Sequence, residues 1–148
     1  MRALLDVNVL IALLDSAHIM HGAAVTWLSS EIGDGWASCP IAENGVIRIM
    51  SQPGYPNTQP AAQVAGRLAE ACSTADHRFW SHDFSLLSDS VLDWSRLLGH
   101  RQVTDAYLLA TAVRNGGRFV TFDRRIDTTL VRGAAEKHLC IIQADLAI

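Results

Sequence analysis

The stretch QVTDAYLLATAVRNGGRFVTFD, residues 102–123, sets one aspartate near the head of an apolar helix and another at the end of an apolar strand. Thr104 reads as the helix N-cap, with Asp105 in the first turn, where the positive end of the helix dipole favours an anion. Leu108, Leu109 and Ala112 recur from Asp105 at helical spacing, so this carboxylate heads the stripe that faces the core. Asn115-Gly116-Gly117 can close the helix with positive φ, and Arg118 to Phe122 then reads as a buried strand that ends at Asp123. Two acids are framed in this way, and we expect them to form half of an acidic, metal-binding pocket.

The first residues repeat the pattern. Arg2 to Asp6 is a short apolar run ending in an acid, and Val7 to Leu14 follows with helical spacing. In a chain that alternates strands and helices, two such strands become parallel neighbours or near neighbours. Ligands of such sheets bind beyond the C-terminal strand ends, where Asp6 and Asp123 both fall. Asn8 stands two residues past Asp6, placed to orient its carboxylate; capping of the following helix explains the pair equally well.

A third acid comes from the next unit. Trp36 to Cys39 reads as a strand, and Pro40 suits the first position of a helix running to about Ser51. Glu43, Val46, Ile47 and Met50 share one side of that helix, so Glu43 also heads an apolar stripe. A buried carboxylate needs an arginine, a proton or a metal. Arg48, five residues on, lies well round the helix from it.

The remaining segments are connective. His21 to Ile32 reads as an amphipathic helix with Ala24, Trp27 and Leu28 inward, and Gly33-Asp34-Gly35 as a turn. His18 and His21 are three apart, but neither Glu nor Cys accompanies them, and we leave them outside the site. Gln52 to Gln59 is a breaker-rich loop, Ala61 to Ser73 a helix carrying Val64, Leu68 and Cys72, and Arg78 to Ser81 a short extended segment. His77, His82 and Asp83 around it read as a polar loop rim, with a metal site made from the two histidines and the acid as the alternative. Asp89 to Leu98 reads as a helix or an irregular connection, 126–137 as loop and helix, and Leu139 to Ile142 as a final strand.

Composition bounds the function. The 148 residues are 49% hydrophobic and 18% charged, which suits one folded domain over 1–148. A formal net charge of −3 gives no bulk attraction to nucleic acid, so any such binding must come from local arginines, metal ions or a partner. The apolar run Leu4 to Leu14 is interrupted by Asp6 and Asn8 and falls short of the roughly 20 residues of a membrane span. We expect a cytoplasmic protein without a membrane anchor. Cys39, Cys72 and Cys140 are isolated in sequence, which suits buried thiols in a reducing compartment rather than a disulfide framework.

Asp6, Glu43, Asp105 and Asp123 thus converge by position. Four anions in one crevice repel unless cations neutralise them. Oxygen donors select Mg²⁺, with Mn²⁺ as the alternative. Phosphodiester hydrolysis is the chemistry such sites most often serve. There is no GxSxG elbow, Walker A loop or GxGxxG. A receiver-type phosphoacceptor also clusters acids at strand ends, but it wants a lysine at the end of a late strand, and Lys137 falls in a predicted helix.

The same residues resemble a known family. Leu4-Leu5-Asp6-Val7-Asn8-Val9-Leu10, the Pro40-Ile41-Ala42-Glu43 helix with Arg48, the run from Gly99 to Ala110, Val120-Thr121-Phe122-Asp123 and the His18, His21, Ala24, Trp27 spacing together resemble the PIN-domain ribonucleases. The likeness is to the VapC toxins of type II toxin–antitoxin systems and covers essentially the whole chain. It implies a three-layer α/β/α sandwich on a twisted, mainly parallel sheet of four to five strands, and a Mg²⁺-dependent endoribonuclease that inhibits growth. It also implies a VapB-type antitoxin as partner and a homodimer. By position, Asp6, Glu43, Asp105 and Asp123 are its catalytic, metal-binding acids, with Asn8 and Thr121 as supporting polar residues. Arg48, Arg101, Arg124 and Arg125 are our candidates for RNA phosphate contacts. A PIN-like module that binds without catalysis is the remaining alternative.

Overall fold

The computed structural model describes residues 1–144. Five short strands, β1 (Ala3–Leu5), β2 (Trp36–Ser38), β3 (His77–Phe79), β4 (Arg118–Thr121) and β5 (Leu139–Ile141), form one sheet in the order β3-β2-β1-β4-β5. Every pairing is parallel, so the sheet is wholly rather than mainly so. Leu4, Leu5, Ala37, Phe119 and Val120 have essentially no exposed surface. Helices covering both faces of a parallel sheet account for that burial.

The helices are α1 (Val7–Leu14), α2 (His21–Glu31), α3 (Pro40–Ser51), α4 (Ala61–Cys72) and α5 (Arg101–Arg114). α1 packs on α2 and α3, and α3 on α4, while α5 packs on β1 and β4. Right-handed crossovers put the four helices of the β1-β2-β3 half on one face and α5 on the other, giving three layers. The chain runs outward from β1 to β3 and then crosses back to β4. The strand order therefore reverses between β1 and β4, and such a switch point opens a crevice at the C-terminal strand ends.

Local signals explain several boundaries. Asp6 caps α1 from an extended backbone, its Oδ1 accepting the Val7 N–H at 2.8 Å, and Pro40 opens α3 at its first position. Gly116, at φ 68°, turns the chain after α5 into β4. Gly45 lets α3 lie close on α1, since a Cβ there would come within 2.8 Å of Val7 Cγ2.

Three expectations are revised. α5 begins at Arg101, so Thr104 is not its cap. The Gln102 side chain accepts the Leu98 N–H at 2.8 Å, so the helix is anchored one turn earlier. Asp105 consequently sits in the second turn, beyond the strongest field of the helix end. The segment 126–137 forms two 3-10 turns, Thr128–Leu130 and Glu136–His138, rather than a helix. Of the two alternatives for Asp89 to Leu98, the structure has the irregular connection, with the 3-10 turn Trp94–Arg96 and Leu92 bridged to Val131. The 52–59 loop is tied to the end of α1, where Tyr55 Oη and Asn57 Nδ2 donate to the buried Asp15 carboxylate. No helix among the described residues is long and apolar enough to cross a membrane.

Candidate active site

Asp6 and Asp123 meet because β1 and β4 are neighbours in the sheet. The Thr121 hydroxyl, fully buried at the end of β4, donates to Asp6 Oδ2 at 2.7 Å and accepts the Asp123 N–H at 3.1 Å. One hydroxyl therefore joins the two strand-end acids. Asp6 is buried, and burial pushes its carboxyl up; the Thr121 and Val7 bonds oppose the shift, and the charge of Asp123 adds to it.

Asp105 reaches the same crevice from α5. Its carboxyl is pushed up to about 6, first by burial and then by the charges of Asp6 and Asp123, with Arg125 acting against them. Asp123 is the best solvated member. It accepts the Arg125 backbone N–H at 2.9 Å and the guanidinium Nε at 3.1 Å, and these bonds hold its carboxyl below the usual range. The charge of Asp123 thus raises both Asp6 and Asp105, and Asp6 raises Asp105 as well, while Arg125 pairs with Asp123.

Glu43 lies toward the other half of the sheet. Ser38 Oγ donates to Glu43 Oε2 at 2.6 Å and sits 2.8 Å from His77 Nε2 and 3.8 Å from Cys72 Sγ. Burial lowers the His77 imidazole and raises the Cys72 thiol, and Glu43 opposes the first shift while adding to the second. Cys39, the residue preceding α3, senses both Glu43 and Asp6. The structure therefore brings Asp6, Asp105 and Asp123 into one charge-coupled group, with Glu43 beside it in a separate hydrogen-bonded cluster. Sequence reasoning missed Ser38 and Cys72, and grouped His77 with His82 and Asp83 rather than with Glu43. A serine at the end of a buried strand, before a helix with an inward acid, is the one signal they left.

The other candidates are distributed around the crevice. A cavity of about 200 Å³ is lined by Arg101, Gln102, Asp105, Asp123, Arg125, Ile126 and Leu130. Arg124 is exposed beside it, whereas Arg48 is exposed in the last turn of α3. Asn8 is exposed on α1, and the bonds to the Asp6 carboxylate come from Val7 and Thr121. His82 is engaged elsewhere, 3.2 Å from Thr111 Oγ1 and packed on Tyr107 at 4.2 Å, and Asp83 pairs with Arg114. These two therefore form no cluster with His77. Lys137 lies in the turn ahead of β5, at the opposite end of that strand from its C-terminal edge.

Comparison with known proteins identifies the fold and the family. The family model of the PIN domain matches residues 3–129. Ribonuclease VapC44 of Mycobacterium tuberculosis is 52% identical over 142 residues, covering 96% of this chain and 100% of that protein. Two solved structures share the fold at low identity. The first is Mycobacterium tuberculosis VapC20, described as a sarcin-ricin loop cleaving toxin. It matches at TM-score 0.56 and 14% identity, over 78% of this chain and 85% of its own. The second is VapBC2 from Rickettsia felis, bound to a DNA fragment from its promoter. It matches at TM-score 0.54 and 13% identity, over 83% of this chain and 89% of its own. With a PIN-domain match over most of its length and a relative this similar from end to end, the chain belongs to the PIN-domain family, as one of the VapC ribonucleases.

Proposed function

We propose that the chain is the endoribonuclease toxin of a type II toxin–antitoxin pair, hydrolysing single-stranded or looped RNA with Mg²⁺ held by Asp6, Asp105 and Asp123. The observation that carries this reading is the meeting of three acids in one crevice, where Asp105 is pushed up to about 6 by burial and by the charges of Asp6 and Asp123. Uncompensated negative charge from hard oxygen donors in one open crevice suits a hard divalent cation. When bound, such an ion polarises the phosphoryl group and makes water a better nucleophile near neutral pH.

The chain's own residues do the rest. Thr121 fixes the Asp6 carboxylate, and Arg125 fixes Asp123. Arg101 and Arg125 border the cavity, and with the neighbouring Arg124 they offer guanidinium groups to the backbone phosphates on either side of the scissile bond. Glu43 stays in the acidic set as its flanking member, adding negative charge from beside Cys39. Arg48 and Asn8, both exposed, are assigned supporting contacts to RNA and to solvent around Asp6. A VapB-type antitoxin as neutralising partner and a homodimer in solution belong to the same proposal. The likeness to VapBC2 supports the partner.

The test is cleavage of a fluorogenic RNA by the purified chain. Cleavage is expected with Mg²⁺ or Mn²⁺, with loss on chelation and in the folded Asp105→Asn variant. Cleavage that survives both would overturn the reading. No cleavage by the wild type with any divalent ion, across structured and unstructured RNAs, would leave the non-catalytic binding module in its place.

A further inference from the structure

Tryptophan stands at positions 27, 36, 80 and 94, and the first three have a place in the packing. Trp36 is buried, and Trp27 and Trp80 lie against the core. Trp94 differs, being 45% exposed at the start of the 3-10 turn Trp94–Arg96. We infer that its indole is a stacking platform for an unpaired base of the RNA that enters the aspartate crevice, and so a residue that selects single-stranded substrate. The inference rests on the proposed reading of that crevice as an RNA-hydrolysing site.

The turn is fixed to the walls of the crevice. Val91 and Leu92 are buried, Leu92 bridges to Val131, and the Arg132 N–H donates to the Val91 carbonyl at 2.9 Å. The Asp93 N–H donates to the Leu130 carbonyl at 2.9 Å, and Leu130 lines the cavity that also holds Asp105 and Asp123. Past the turn, the Leu98 N–H donates to Gln102, which lines the same cavity beside Arg101. Trp94 therefore stands on the rim, between two hydrogen bonds to crevice-lining residues, on a segment that cannot swing away.

The chemistry of this rim suits a nucleotide. Every base has a face that an aromatic ring can take, and a tryptophan, with two side-chain torsions, loses little freedom in stacking. Arg101 offers a guanidinium to a phosphate of the same strand. The nearby acids are already engaged. Asp93 accepts the N–H and hydroxyl of Ser95 and the Arg96 guanidinium, and Asp127 accepts the N–H and hydroxyl of Thr129.

The test uses the full chain with Ca²⁺ in place of Mg²⁺ and short oligo(A) and oligo(U) RNAs, with a blunt RNA duplex for comparison. Binding of the single strands should quench the tryptophan emission of the wild type. Trp94→Phe should abolish that quenching while affinity stays within about twofold, and Trp94→Ala should weaken binding at least about fivefold. The duplex, whose bases are already stacked, should show neither the quenching nor the loss in Trp94→Ala. With Mg²⁺, Trp94→Ala should raise KM for RNA and keep kcat. Unchanged affinity and KM in a folded Trp94→Ala, with cleavage intact, would overturn the inference and leave the nuclease standing. Quenching that requires Trp94, without cleavage under any divalent ion, would uphold the stacking and overturn the nuclease reading. Loss of a dimer in sedimentation of Trp94→Ala, with RNA affinity unchanged, would also overturn the inference and assign the indole to a second copy of the chain. Quenching is read on the unmodified chain, so its absence with these RNAs overturns the inference even where a variant fails to fold.

Discussion

The Thr121 hydroxyl donates to Asp6 Oδ2 at 2.7 Å inside the protein, across 115 residues of sequence. Thr121→Val keeps the shape and removes the donor, so a buried carboxylate oxygen loses its partner. We expect a stability loss of about 1–3 kcal/mol in urea unfolding. Because Asp6 is no longer held and Asp123 loses its backbone tether, RNA cleavage is expected to fall by about 10–100-fold. Thr121→Ser should restore most of both.

The three aspartates and Glu43 separate by mutation. Asp6→Asn and Asp105→Asn are expected to reduce cleavage by more than about 100-fold, beyond the usual cost of outer-shell changes at metal sites. Glu43→Gln, at the flank, should cost less than either. Equal losses at all four positions, measured as kcat/KM at saturating Mg²⁺, would place Glu43 among the direct ligands instead.

Asp105 gives the metal-free protein a pH signature. Its carboxyl titrates near 6 in the fold against 3.8 in the open chain, so the folded state binds the proton more tightly. Stability contributed by that proton is present below about pH 4 and is lost as the pH rises through 6. The loss is about 1–2 kcal/mol after solvent screening is allowed for. Asp105→Asn should remove this slope, and Mg²⁺ should flatten it in the wild type; melting curves from pH 4 to 8 without and with Mg²⁺ read both.

Much of this was legible in the sequence wherever the signal was local. Asp6 before an apolar run and Pro40 at a helix start placed α1 and α3 with their observed bounds, and the glycines after Asn115 placed the turn into β4. The start of α5 was not legible, because Gln102 reaches back to Leu98 and displaces Thr104 from the cap. Nor was the surrounding of Glu43. Which residues face it depends on the β2–β3 register, a relation between segments about 40 residues apart. The segment 126–137 folds as isolated turns because its buried apolar side chains, Leu130 and Val131, are adjacent rather than repeated at helical spacing.

Arg125 is highly exposed, and its pairing with Asp123 adds little to the fold. Arg125→Ala should therefore leave the melting temperature unchanged and raise KM for RNA several-fold. If it contacts one phosphate, the slope of log binding constant against log salt should become shallower by about 0.7. An unchanged slope would remove Arg125 from the RNA interface.

Gly45→Ala tests the spacing of α1 and α3. The added methyl meets Val7 Cγ2 at 2.8 Å, an overpacking expected to cost about 1–3 kcal/mol. Val7→Ala in the same chain should recover part of that loss, which chemical denaturation of the single and double variants measures.

The sheet order has a consequence for synthesis. Asp6 is made almost at once, but the strand that seats it ends 115 residues later. At about 5–20 residues per second, the ribosome needs about 6–23 s to cover that distance. Until β4 has left the exit tunnel and inserted beside β1, the nascent polypeptide has neither the clasp on Asp6 nor the last aspartate. On the proposed mechanism, a fragment released early by a stalled or cleaved message lacks both and should not cut the RNA that encodes it.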